Sequence, residues 1–363
     1  MQTIVTFGEI MMRIAAEGFL RFRQSFPGKA EITFAGAEAN VAVSIALFGG
    51  NSRYVTALPK HSIADACIDT VRGLGVDVNY ILKTDKGRLG IYFLETGANQ
   101  RPSNVIYDRE NSSVSFVPFE KYDWKGIFDN AGWLHISGIT PALSGIAADC
   151  SIKAVKAAKS SGLCVSCDLN FRKKLWKWDE SLSSKQLAQK TMREILPYVD
   201  VLIGNEEDAS DVLGIAAGDA DIEAGKLDAA KYKDVAQKIV EQFPNISKVA
   251  ITLRQSISAT HNNWGAMLYD SQASQAYFAP VKGGEYEPYK ITDIVDRVGG
   301  GDSFAAGLIF ALNSEKYCTP DKAISFAAAA SCLAHSIKGD FNYIALDEVE
   351  ALMAGSSSGR VKR

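Results

Sequence analysis

Along the chain, short apolar runs rich in β-branched residues alternate with longer stretches whose apolar positions recur every three or four residues. TIVTFGEI, VSCDLN, VDVLIGN and ISKVAITL are of the first kind and predict buried strands. SIKAVKAAKSSG and AAKYKDVAQKIVEQF are of the second kind and predict helices, and AEANVAVSIALFGG predicts another from about Glu38 to Phe48, stopped at Gly49 and Gly50. Strands in alternation with helices predict an α/β fold, a doubly wound, mostly parallel sheet flanked by helices on both faces. Ligands of such sheets bind beyond the carboxyl ends of the strands. Asp168 to Arg172, Asn205 to Asp208 and Gly299 to Asp302 all fall in such places.

One region breaks the alternation. Between Leu89 and Val117, GIYFLE, NVIYDR and SVSFV predict three short strands with no helix between them, and the aromatic, turn-rich stretch from about Arg13 to Phe34 reads as non-helical. Together they predict a small separate β-sheet, either a lid or a decorative layer. The expected organisation is one α/β domain over 1–355, with a β lid inserted from about 13–35 and 88–118, and a polar tail at 356–363.

Composition adds mainly exclusions. The 363 residues hold 39 Lys+Arg against 42 Asp+Glu, a net charge of -3, which leaves no electrostatic footprint for nucleic acid or an anionic membrane. No apolar run approaches the length of a bilayer span and the N-terminus lacks a basic leader, so a cytoplasmic protein acting on small molecules is expected. Cys164 and Cys167 lie three apart on a predicted strand and face opposite sides, which reads as core thiols. The 4 histidines show no ligand spacing.

The stretch DRVGGGDSFAAGLIFAL carries the clearest chemistry. ITDIV, from Ile291 to Val295, predicts a strand, and SFAAGLIFAL predicts a buried helix, so Gly299, Gly300 and Gly301 form the turn between them. Glycines in a row let backbone amides converge on an anion, and the helix N-terminus adds positive potential. Asp302 beside them is either a base positioned to take a proton from an attacking hydroxyl or a simple helix cap. The stretch is neither a Walker A loop nor a dinucleotide fingerprint.

With these residues in view, the chain resembles the ribokinase-like (PfkB-type) sugar kinases, and within them the 2-dehydro-3-deoxygluconate kinases. DRVGGGDSFAAG resembles the family's D-T-x-G-A-G-D signature, which puts Asp302 at the catalytic-base position with Gly299 and Gly301 near the phosphates. FAGAEANVA resembles its sugar-binding Gly-Gly-Ala-Glu-Ala-Asn-Val-Ala, implying Gly36, Ala37 and Asn40 near the sugar, with Ala35 in place of the first glycine. RPSNVIYDREN and DLNFRKKLW resemble segments that present Tyr107, Arg109 and Arg172 to the substrate, joined by Tyr92 of GIYFLE. Arginine suits a sugar acid because a guanidinium grips a carboxylate by two parallel hydrogen bonds. NEED resembles the N-x-x-E motif, implying that Asn205 binds on the cofactor side and that Glu207 or Asp208, with Glu206 beside them, organises Mg2+ through water. Thr252 and Arg254 resemble the nucleotide-side loop, and Asp296 matches an acid that holds a monovalent cation in some relatives. The resemblance thus implies a ribokinase-like fold and transfer of phosphate from Mg·ATP to the terminal hydroxyl of 2-dehydro-3-deoxy-D-gluconate, with a homo-oligomer formed through the lid. A neutral-sugar kinase for fructose or ribose, and a non-catalytic sensor on the same fold, are the alternatives.

Overall fold

A computed structural model describes residues 1–215 and 229–356. The part of the expected tail beyond 356 lies outside the described residues. Among those residues a nine-stranded central sheet runs, from one edge, through Ser52–Val55, Thr3–Phe7, Ala131–Ser137, Cys164–Asp168, Val201–Gly204, Lys248–Ser258, His261–Asp270 and Gln275–Ala279, with Tyr289–Ile291 also pairing on His261–Asp270. The first six are parallel to one another, and the remaining pairs are antiparallel.

Side chains alternate across a strand, so a strand apolar at every position feeds two cores. Val5, Leu134, Leu202 and Val249 enter one core with the helices Gly145–Ser160, Ser184–Ile195 and Ala229–Gln242. Their neighbours Ile4, Trp133, Val201, Ile203 and Ala250 enter the other, against the helices Gly300–Leu312 and Pro320–Ala334. This is the doubly wound, ribokinase-like arrangement. The helix expected from Glu38 spans Ala37–Leu47 and is closed by Gly49 at φ 85°. No helix of the described residues is long and apolar enough to cross a membrane.

A separate four-stranded sheet has the order Glu31–Ala35, Met11–Ala15, Gly90–Glu95, Asn104–Asp108. Three local expectations are corrected. SVSFV is not a strand: Ser113–Phe116 is a 3-10 turn with Val114 in the main core and Ser115 Oγ bonded to Ser112 O at 2.6 Å. A short apolar run without clear period can satisfy burial either way. The stretch read as non-helical carries a single helical turn, Phe22–Ser25, held where Phe22 N donates to Glu95 Oε1 at 2.7 Å. The strand expected over Ile291–Val295 ends at Ile291, because the amides of Val295 and Asp296 turn to His335 O instead of to a neighbouring strand.

Candidate active site

A cavity of about 470 Å³ lies between the carboxyl ends of the parallel strands and the inner face of the small sheet. Asp168, Gly204 and Thr252 come from the strands, and Met11, Tyr92, Val105 and Tyr107 from the small sheet. Gly299, Gly301 and Asp302 form the wall between them.

The glycine turn is built by close approach. Gly299 has φ 83°, and a Cβ there would come within 2.5 Å of Asp340 O, so neither the backbone angle nor the space accepts another residue. The helix begins at Gly300, with Gly299 as its N-cap. Gly301 has open space where a Cβ would sit, while Gly300 is buried with its α-carbon face against the His335 ring and does not line the cavity. First-turn amides have no acceptor within their own helix, so this end offers N–H donors and positive potential.

The simple-cap reading of Asp302 is corrected by this geometry. Asp302 is the third helical residue, no side-chain cap bond is made at this end, and its Oδ2 accepts from Asn40 Nδ2 at 2.6 Å. Burial raises its pKa to about 7; the Asn40 hydrogen bond opposes the rise, the charges of Asp340 and Glu38 add to it, and Arg172 opposes it.

All seven residues expected around a sugar line the cavity: Gly36, Ala37, Asn40, Tyr92, Tyr107, Arg109 and Arg172. Their surroundings differ from what the sequence suggests. At Gly36 a Cβ would lie 2.1 Å from Glu9 O, so that glycine serves close backbone packing. Arg109 is buried, and its Nε donates to Glu9 Oε2 at 2.8 Å, with Nη2 bonded to the same oxygen. Glu9 Oε1 is buried without a partner. Tyr92 is buried, and its hydroxyl donates to Asp340 Oδ1 at 2.6 Å. Arg172 is exposed at the cavity, and among the described residues no carboxylate lies within ion-pair distance of it.

Asp168, at the end of its strand, was passed over in the choice of individual site residues, although its DLNFR segment stood in a ligand-facing place. It lines the cavity, and burial, then the charges of Asp208 and Asp302, hold its pKa well above the usual carboxylate range. Glu9 was missed outright, since its pairing with Arg109 spans a hundred positions of chain.

On the other side of the cavity, Asn205 and Asp208 cap each other: Asp208 N donates to Asn205 Oδ1 at 2.8 Å, and Asn205 N to Asp208 Oδ2 at 3.3 Å. Asp208 Oδ1 takes the Phe171 amide at 3.1 Å, so both its oxygens already hold backbone. Burial nevertheless raises its pKa. Glu207 is exposed in the cavity wall, and the side chain of Glu206 lies outside what is described. Thr252 and Arg254 line the same side, with Arg297 next to them. Asp296, matched to a monovalent-cation ligand, is instead compensated from within the chain, since its Oδ2 is ion-paired with Arg13.

The fold and this wall of glycine turn, carboxylate and arginine define a sugar kinase, and the comparisons agree: the chain belongs to the pfkB family of carbohydrate kinases, whose profile matches residues 1–342. It is similar to the crystal structure of a 2-dehydro-3-deoxygluconokinase from Thermotoga maritima, at 41% identity and a TM-score of 0.86 over 98% of this chain and 100% of that one. It is 28% identical to a 2-dehydro-3-deoxygalactonokinase of Haloferax volcanii over 98% of both chains. A 2-dehydro-3-deoxygluconokinase of Bacillus subtilis is 26% identical over 84% of this chain and 81% of its own.

Proposed function

We propose that this carbohydrate kinase transfers the γ-phosphoryl group of ATP to the terminal hydroxyl of 2-dehydro-3-deoxy-D-gluconate, giving the 6-phosphate and ADP. The observation that carries the mechanism is Asp302, a carboxyl whose pKa is raised to about 7, in the cavity wall beside the first-turn amides of its helix. A base near neutrality is half ionised at working pH yet basic enough to accept a proton. Asp302 takes the hydroxyl proton as the oxygen bonds to phosphorus and the bond to ADP breaks. The amides of Gly300, Gly301 and Asp302 receive the charge spread over the phosphoryl oxygens.

Substrate class follows from Arg172, a guanidinium facing the cavity without a carboxylate partner, and from the names of the relatives. Tyr107 and Asn40 complete the sugar side, and Arg109 lends shape and field through Glu9. Thr252 and Arg254 hold the nucleotide on the opposite wall. The donor set there fits Mg2+: Glu207 presents a carboxylate to the cavity, whereas Asp208 is committed to amides. Mg2+ held through water by Glu207 and by the nucleotide would supply positive charge across the phosphates. The small sheet acts as the lid that excludes water.

The other face of that sheet supports a homo-oligomer. Met11, Tyr92 and Tyr107 face the cavity, so the alternate residues Met12, Ile14, Ile91, Phe93 and Ile106 face away. Ile32 pairs with Ile14 on that face, and Ile32 and Ile106 stay 60% and 48% exposed. A second copy of the chain covering this face would hide them.

The test is coupled ADP release over 2-dehydro-3-deoxygluconate, its C4 epimer, gluconate, fructose and ribose. Preference for a dehydrodeoxy sugar acid supports the reading, with the epimer pair fixing stereochemistry. Equal or better turnover of fructose or ribose replaces it with a neutral-sugar kinase, and absence of ATP turnover with every sugar leaves a sensor.

A further inference from the structure

Arg13 stands in the second position pair of a short strand, MMRIA, where the neighbouring pattern alternates buried and half-buried. Its side chain points inward and is only 2% exposed. Each arm of the guanidinium meets a different carboxylate: Nη1 donates to Asp340 Oδ1 at 2.5 Å, and Nη2 is ion-paired with Asp296 Oδ2. Arg13 does not line the cavity, so it touches neither sugar nor nucleotide there.

The two acids lead to the chemistry by separate routes. Asp296 Oδ1 accepts the Val298 amide at 3.1 Å, which fixes the chain just before the glycine turn. Asp340 presses its carbonyl against Gly299, where a Cβ would come within 2.5 Å, and its carboxylate also takes the hydroxyl of Tyr92 from the small sheet. Asp296 Oδ2 in addition accepts the Gly339 amide at 3.3 Å, which closes the ring of contacts. One buried cation therefore joins three pieces: the small sheet, the approach to the glycine turn, and the loop behind it.

We propose that Arg13 is a positioning residue, whose forked guanidinium locks the small sheet to both sides of the glycine turn so that closure over the sugar and alignment of Asp302 are one event. The proposal rests on the kinase reading above. Lysine at this position would keep the charge, but its single ammonium cannot reproduce the planar fork that spans two carboxylates. A residue that merely filled space would tolerate that change.

The experiment has an arm that needs no substrate. In the unliganded protein, amide hydrogen exchange in Arg13→Lys is expected to rise at least threefold over 296–302 and 338–342, with the strand Cys164–Asp168 unchanged as internal control. In the kinetic arm, the same variant is expected to lose at least tenfold in kcat, with KM for ATP within threefold of wild type. Arg13→Ala, which opens a guanidinium-sized space, should regain part of that kcat in millimolar guanidinium but not in methylammonium. Wild-type exchange over both segments in Arg13→Lys overturns the proposal, as does a kcat within twofold of wild type. Rescue of the melting temperature by guanidinium without rescue of kcat assigns Arg13 to stability alone. A wild type that turns over no sugar acid defeats the functional reading and leaves the exchange arm to decide this one.

Discussion

Replacing Asp302 by Asn should abolish turnover and stabilise the protein at the same time, and the pH dependence of the second effect comes directly from the site. The carboxyl titrates at about 7 in the folded chain against 3.8 in its ordinary state. Because the folded pKa is raised, the unfolded chain releases this proton first, and wild-type stability falls as pH rises from about 4 to 7. Each pH unit is worth about 1.4 kcal/mol, so the ionised carboxylate costs up to ~4 kcal/mol above pH 7, and nearer ~2–3 kcal/mol after allowing for its contact with cavity water. D302N removes the charge and keeps an acceptor for Asn40 Nδ2. Urea unfolding at pH 5 and pH 8 should therefore show the variant's gain growing by ~2 kcal/mol or more between the two. Its kcat should fall roughly 10²–10⁴-fold, the range for a positioned general base. A gain that does not change with pH, or a variant less stable than wild type at pH 8, refutes the account of how burial raises this pKa. Near-normal turnover refutes the base.

Arg172→Lys should raise KM for the sugar acid about tenfold to a hundredfold, the scale of one charge-assisted hydrogen bond of ~1.5–3 kcal/mol, and leave KM for ATP alone; steady-state kinetics with each substrate varied reads this directly. Glu207→Gln should raise the magnesium concentration for half-maximal rate severalfold, whereas Asp208→Asn should show up first as a lowered melting temperature, because Asp208 holds the amides of Phe171 and Asn205. Turnover should be indifferent to exchanging K+ for Na+ or a bulky organic cation, since Arg13 already compensates Asp296; activation by K+ alone would contradict this. Ile106→Glu, on the exposed face of the small sheet, should shift the chain to monomer in sedimentation, and an unchanged mass would move the interface elsewhere.

The central sheet was legible in sequence because its strands are apolar at consecutive positions, and that pattern has few other uses. The glycine turn was legible for a similar reason: Gly299 to Gly301 make no sense within regular structure and full sense at a close approach. What stayed hidden was set by distant partners. Residues 292–299 look like a continuing strand until the carbonyl of His335 takes two of their amides. Arg13 sits in an alternating strand where a charged residue ordinarily marks the solvent side, and only the fold brings Asp296 and Asp340 to it across 283 and 327 positions. Arg109 was read as a ligand for substrate, and Glu9 turned it into a buried pair that shapes the wall.

The cavity region holds several acids whose pKa is raised by burial, and their partners distinguish them without recourse to any relative. Glu38 is spent on Ser137 and Thr140, with Oε1 accepting from both hydroxyls and from the Ser137 amide. Asp340 is braced by Arg13 and Tyr92, and Asp208 by two backbone amides. Asp168 faces the cavity as well, yet its pKa is driven up partly by Asp208 and Asp302, so it is the group that stays protonated while Asp302 ionises. Asp302 alone combines a pKa near neutrality, one oxygen steadied by Asn40, and a place at the helix end where phosphoryl charge is received. Neutral Asp168 can then donate a hydrogen bond to a sugar hydroxyl where a second carboxylate would repel the substrate's own charge. The same reasoning predicts that Asp168→Asn, which preserves a neutral hydrogen-bonding group, keeps most of kcat, and that its acid limb in kcat/KM moves to lower pH as one negative neighbour of Asp302 is lost. An acid limb that stays in place would separate the two carboxyls and return Asp168 to a purely structural role.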